Sequence, residues 1–119
     1  MPNMKKILVV DDDLNILEVV KSILISYGFD VHTHATGMNV VEVVFDFDPD
    51  LILLDIRLPG KSGTEICKEL KELNCKIPII LFSAHTQQPN FLEMFHADAF
   101  MSKPFDVKDL VNTVKFHMN

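Results

Sequence analysis

Apolar residues along this chain follow two alternating rhythms. Ile7, Leu8, Val9 and Val10 form an unbroken run that stops at Asp11, Asp12 and Asp13. A continuous run of this kind suits a strand covered on both faces, as in a parallel sheet. Beyond it the period changes: Leu14, Leu17, the aliphatic stem of Lys21, Leu24 and Ile25 recur at helical spacing. Asp13 is placed to cap that helix and Gly28 to stop it. Residues 31–35 alternate apolar and polar, which predicts a more exposed strand near a sheet edge. Thr36 is placed to cap a helix to about residue 45, with Val40, Val41, Val44 and Phe45 on its buried side. Pro49 and three acids make 46–50 a loop.

The same alternation continues. Leu51, Ile52, Leu53 and Leu54 are the strongest buried-strand signal and end at Asp55. Pro59 and Gly60 break the chain, and Ser62 with Glu65 forms a capping box for a helix carrying Ile66, Leu70 and Leu73. Residues 77–82 predict a fourth strand, with Pro78 near the first position, where a missing N–H is tolerated. A weaker helical pattern covers 86–96, its apolar residues being Phe91, Leu92, Met94 and Phe95. Ala99, Phe100 and Met101 form a short fifth strand closed by Pro104. Asp106 caps a last helix lined by Val107, Leu110, Val111 and Val114. Five β-α units in 119 residues leave no room for a second domain. With right-handed crossovers they predict an α/β domain, an open, doubly wound five-stranded parallel sheet with helices on both faces.

Composition narrows the function. The chain carries 11 basic and 17 acidic side chains, a net charge of −6, and has no Lys/Arg cluster. Direct nucleic-acid binding is not expected, because a duplex needs several cationic phosphate contacts. Cys67 and Cys75 form neither a disulfide framework nor, with scattered histidines, a zinc set. Cys67 is expected at a helix–core boundary and Cys75 in a loop. The first six residues are too short and too soon followed by a strand to act as a signal peptide. No apolar run approaches membrane-spanning length, so a cytoplasmic, membrane-free protein is expected.

In open α/β sheets the functional crevice lies beyond the carboxyl ends of the strands. The first strand delivers Asp11 and Asp12 there, the third Asp55, the fourth Ser83, and the fifth leads to Lys103. Three crowded carboxylates call for a cation, and oxygen-only ligands favour a hard one, Mg²⁺ first. Helix capping accounts for Asp13 but not for Asp55, which sits between Leu54 and Ile56. A carboxylate beside Mg²⁺ either holds the ion for another substrate or is itself a nucleophile toward a phosphoryl group. The second role needs donors for three phosphoryl oxygens, and Ser83 and Lys103 match that need in type and place. Pro104, directly after Lys103, admits a cis bond that would aim the lysine. His32, His34, His85, His96 and His117 show no catalytic spacing, and no glycine-rich phosphate loop is present. His85 borders the crevice as an exposed loop residue. A phosphoryl acceptor that seldom turns over fits better than a fast hydrolase.

These residues carry a resemblance to the receiver (phosphoacceptor) domains of bacterial two-component response regulators. It rests on ILVVDDD at 7–13, LILLDIRLPGKSG at 51–63, Ser83-Ala84, and Lys103-Pro104-Phe105, all in order and matching in spacing. The resemblance implies the flavodoxin-like, CheY-like (βα)5 fold with strand order 2-1-3-4-5, one receiver domain over 1–119, and no output domain within the chain. It implies Asp55 as phosphoryl acceptor, Asp11 and Asp12 as the Mg²⁺ acids, and the backbone carbonyl of Arg57 in the metal shell. Ser83 stands at the switch hydroxyl, Phe100 at the switch aromatic and Lys103 at the phosphate-sensing lysine. The implied donor is the phosphohistidine of a sensor histidine kinase or phosphotransfer protein, docking partly through the first helix, with Asn15, Glu18 and Ser22 on its exposed face. The implied output is a shift of the face formed by the fourth helix, fifth strand and fifth helix. An output domain, an effector protein or a second protomer in a phosphorylation-dependent homodimer would read that shift.

Two features depart from the family pattern. The stretch between Ser83 and Lys103 is short, with Gln87-Gln88-Pro89 where the fourth helix would start, and His96 stands where a positive-φ glycine is usual. Both fall on the signalling face and bear on the dimer mode. Other readings are a phosphorylation-independent scaffold, a Mg²⁺-dependent aspartyl-phosphate phosphatase and a flavin-binding protein. The phosphatase needs a second acid where Arg57 stands, and carboxylates after the first strand would repel a flavin phosphate. No conventional turnover enzyme is expected, only phosphoryl acceptance and slow self-hydrolysis.

Overall fold

Side chains of period two divide the central strands between two cores. The computed structural model describes residues 4–84 and 96–118. Within them lie β1 (Lys6–Val10), β2 (Asp30–His34), β3 (Leu51–Asp55), β4 (Ile79–Ser83) and β5 (Ala99–Ser102). All pair in parallel, in the order β2-β1-β3-β4-β5. Ile7, Val9, Leu51, Leu53, Ile80 and Phe82 face one side, where helices α1 (Leu14–Ser26) and α4 (Val107–His117) contribute Leu17, Val20, Leu24, Leu110 and Val114. Leu8, Val10, Ile52, Leu54, Ile79 and Leu81 face the other, against Val40 and Val44 of α2 (Val40–Phe47) and Ile66, Cys67 and Leu70 of α3 (Gly63–Glu72). This is the open parallel sheet the pattern predicts, in the flavodoxin/CheY-like strand order the resemblance implies. The helix expected over 86–96, apart from His96, and His85 lie outside the described residues.

The caps form where the sequence placed them in three helices. Asp13 Oδ1 accepts from the N–H groups of Asn15 and Ile16, Ser62 and Glu65 close a reciprocal capping box, and Asp106 accepts from Asp109. Gly28 leaves α1 at φ 93°, and His96 adopts the φ of 58° that a glycine would ordinarily supply. Cys67 is buried and Cys75 half-buried, neither in a disulfide, and burial pushes the Cys67 thiol up to about 11. Pro78 lies just before β4 rather than within it.

Several expected stripes are rotated. At about 100° per residue, Leu17, Val20 and Leu24 share a narrow arc, while Leu14, Lys21 and Ile25 fall to one flank and stay exposed. On α2 the same geometry buries Val40 and Val44 and turns Phe45 outward. Leu73 and Val107, at the edges of their helices, are also exposed. Thr36 does not cap α2: its hydroxyl accepts from the Met38 N–H, and the helix begins at Val40 after Asn39 at φ 63°. That short-range bond competes with the helix for the backbone.

Candidate functional site

Asp11 follows β1 and Asp55 ends β3, and these two strands are sheet neighbours. Their side chains therefore emerge side by side at the carboxyl edge, with Asp12 on the solvent side. One carboxylate oxygen from each of Asp11, Asp12 and Asp55 lies within 4.8 Å of the others. Asp11 is fully buried and bonded at both oxygens: Oδ1 accepts the Asp13 N–H at 2.8 Å and Oδ2 the Lys103 ammonium at 2.6 Å.

Lys103 reaches this point from the other side of the sheet centre. Its N–H donates to the Ser83 carbonyl at 2.8 Å, continuing the β4–β5 ladder past Ser102. Its Nζ lies 3.4 Å from Asp55 Oδ2 and 4.7 Å from the centroid of the Phe82 ring. Phe105 packs edge-on against that ring, and the Lys103–Pro104 bond is cis.

Asp55 is the least contented acid of the three. It is 5% exposed, and its two donors both stand at long range: the Arg57 N–H at 3.4 Å from Oδ1 and the Lys103 ammonium at 3.4 Å from Oδ2. Burial first, and the Asp11 charge second, push its carboxyl up to about 6, against the pull of Lys103 and the Arg57 N–H. The segment after it is held tightly. Gly63 opens α3 against the Asp55 backbone, where a Cβ would collide with the Asp55 carbonyl, and Gly63 donates to the Ile56 carbonyl at 2.8 Å.

Among the described residues the donor set fits a hard divalent cation: carboxylates only, no sulfur or imidazole, and more negative charge than Lys103 alone offsets. Arg57, whose carbonyl the resemblance assigns to the metal shell, is exposed and lines a groove with Asp12, Ile56, Pro59 and Ser62. Ser83 is buried at the end of β4. Phe100 pairs with Leu81 and so points to the same sheet face as Ser83, half-buried against the core on the α2–α3 side. All sequence-designated site residues thus gather at one edge except Phe100, which lies two positions deeper in β5. Sequence reasoning missed Phe82, whose ring lies beside the lysine, and Gly37, which packs against the loop after β3. Phe82 reads simply as core in its apolar run, and a lone glycine discloses no long-range neighbour.

A family model described as the response regulator receiver domain matches residues 7–115. Similar solved structures include a response regulator receiver domain protein (CheY-like) from Methanospirillum hungatei, at 33% identity and TM-score 0.87, covering 98% of this chain and 94% of that one. The chemotaxis protein CheY4 of Vibrio cholerae matches at 25% identity and TM-score 0.89, covering 97% of this chain and 99% of that one. The BeF3-activated N-terminal receiver domain of Klebsiella pneumoniae RstA matches at 28% identity and TM-score 0.90, over 97% and 99% of the two chains.

Proposed function

The chain belongs to the response regulator receiver domains, and from that premise we propose that it is a signalling phosphoacceptor whose acceptor is Asp55. The observation that carries this reading is the Asp55 carboxylate itself, buried beside two further acids yet within 3.4 Å of the Lys103 ammonium. Such a group combines a nucleophilic oxygen with a cation ready for the incoming phosphoryl group.

Asp11, Asp12, Asp55 and the Arg57 carbonyl would hold Mg²⁺, which when bound neutralises charge on the phosphoryl oxygens. In the transfer, an Asp55 oxygen forms a bond to phosphorus as the donor's P–N bond breaks, and the departing imidazole nitrogen keeps its electron pair and takes a proton. The donor is the phosphohistidine of a sensor histidine kinase or phosphotransfer protein. The exposed Asn15, Glu18 and Ser22 of α1, beside a groove of about 390 Å³ lined by Ile16, Val19, Pro104 and Phe105, suit its docking. Lys103, already oriented by Asp11, bonds one phosphoryl oxygen, and the Ser83 hydroxyl turns toward another.

The same event sets the output. A phosphorylated Asp55 carries roughly −2 charge and three strong acceptors. As Ser83 turns toward them it vacates space on the face it shares with Phe100, whose ring moves inward and reshapes the surface of β5 and its flanking helices. Phe100 has no hydroxyl, so its two states differ by packing alone. A partner protein, an output domain or a second protomer reads that surface. Among the described residues no helix is long and apolar enough to cross a membrane, and the net charge of −6 disfavours nucleic acid. A cytoplasmic protein–protein role suits both.

The test is direct. Incubated with Mg²⁺ and a small acyl phosphate, the protein should gain a phosphoryl adduct by mass that hydroxylamine cleaves and Asp55→Asn abolishes. An adduct that survives in Asp55→Asn would place the acceptor elsewhere. Absence of any adduct, with candidate kinases present, would favour the scaffold.

A further inference from the structure

The loop between β2 and α2, residues 35–39, takes no part in the chemistry above, yet it is bonded to the site from two directions. The Asp11 N–H donates to the His34 carbonyl at 3.1 Å, tying the end of the edge strand to the residue that carries the buried acid. The His34 ring then reaches forward along its own loop. Its Nε2 lies 2.7 Å from the Met38 carbonyl oxygen, and because a carbonyl only accepts, that nitrogen carries the proton. The Met38 N–H donates to Thr36 Oγ1 at 3.0 Å. Both backbone polar groups of Met38 are thereby held by side chains.

The loop held in this way presses on the segment that follows Asp55. Gly37 donates its N–H to the Pro59 carbonyl at 3.0 Å, and a Cβ at Gly37 would collide with the Lys61 carbonyl. The Met38 thioether covers Gly60 so closely that a Cβ there would lie 2.7 Å from Sδ. Pro59 in turn lines the groove it shares with Asp12 and Arg57. The two loops therefore meet on the β2 side of the acid cluster, away from Lys103.

We infer that His34 is a positioning residue for the cation site: by holding Met38, its ring clamps the β2–α2 loop onto the segment after Asp55. This sets the span between the β1 acids and the Asp55–Arg57 segment. The inference rests on the cluster's being a Mg²⁺ site. Mg²⁺ demands near-ideal octahedral geometry, so its affinity falls when ligands drift by fractions of an ångström. Groups that orient metal ligands from behind commonly change metal affinity by about tenfold or more.

The test compares Mg²⁺ titration calorimetry and Gly37 amide hydrogen exchange in the wild-type chain, His34→Ala and His34→Gln. His34→Ala should weaken Mg²⁺ binding by about tenfold and speed exchange at Gly37. Gln, whose amide N–H can reach the same carbonyl, should restore most of both. Wild-type affinity in His34→Ala overturns the inference, as does equal weakening in Ala and Gln, which would assign the effect to ring packing. If His34→Ala fails to fold, Thr36→Ala, which removes the other hold on Met38, should weaken binding in the same direction, and unchanged affinity there overturns the clamp. Wild-type protein that binds no Mg²⁺ would sink the cation site as well, whereas normal wild-type binding with indifferent variants sinks the clamp alone.

Discussion

Asp55 shows how a single carboxylate can be both functional and a burden to the fold. Its proton leaves near 3.8 in an ordinary setting and at about 6 here, chiefly because burial and the Asp11 charge disfavour the anion. Between those values the folded chain binds more protons than the unfolded one, so stability falls as pH rises from about 4 to about 6 and stays lower above it. Asp55→Asn removes that charge. In buffer free of divalent ions it should raise the unfolding free energy by about 2 kcal/mol at pH 7, and the gain should vanish below pH 4. Urea denaturation at the two pH values checks this; an equal gain at both would trace the effect to something other than charge. The chemistry carries the opposite sign, since the nucleophile is the anion and the protonated acid cannot attack phosphorus.

At the scale of elements, each β-α junction must end a helix-free turn without orphaning N–H groups. At α3 the capping box does so, and it also fixes Gly63 against the Asp55 backbone. Ser62→Ala should therefore cost about 1 kcal/mol in urea denaturation, and Asp13→Ala a similar amount through α1. A cost near zero for Ser62→Ala would mean that solvent replaces the cap. These caps were legible because a Ser or Asp directly ahead of a helical apolar period is a local pattern. The start of α2 was not, because Thr36 satisfies Met38 instead and Gly37 is drawn onto the Lys61 backbone. The rotated stripe on α1 was hidden for a related reason: Leu14 and Ile25 have the right spacing but no neighbour to cover them.

Across the whole molecule, the cation site joins two neighbouring strands, β1 and β3, whose apolar residues are all buried. A ligand that binds only the folded chain stabilises it by mass action, about 2.7 kcal/mol at a hundredfold excess over Kd. Mg²⁺ should accordingly raise the melting temperature of the wild-type chain, and Asp12→Ala should lose most of that rise while melting normally without metal. A wild-type melting curve indifferent to Mg²⁺ would contradict the site. Asp12 suits the comparison because it is exposed, so its removal leaves the buried Asp11–Lys103 pair intact.

Local rhythm alone determined the five strands, three of the helix caps and the acids, hydroxyl and lysine at the strand ends, since period and chain order are properties of short windows. Tertiary structure alone decided how those groups meet. Asp11 and Lys103 stand 92 residues apart in the chain and 2.6 Å apart in space, a proximity set by strand order and register. The same holds for the raised proton affinity of Asp55 and for the contact of Gly37 with the loop beyond β3. Both depend on distances across the sheet, and a Coulomb or steric energy is a function of those distances rather than of position along the chain.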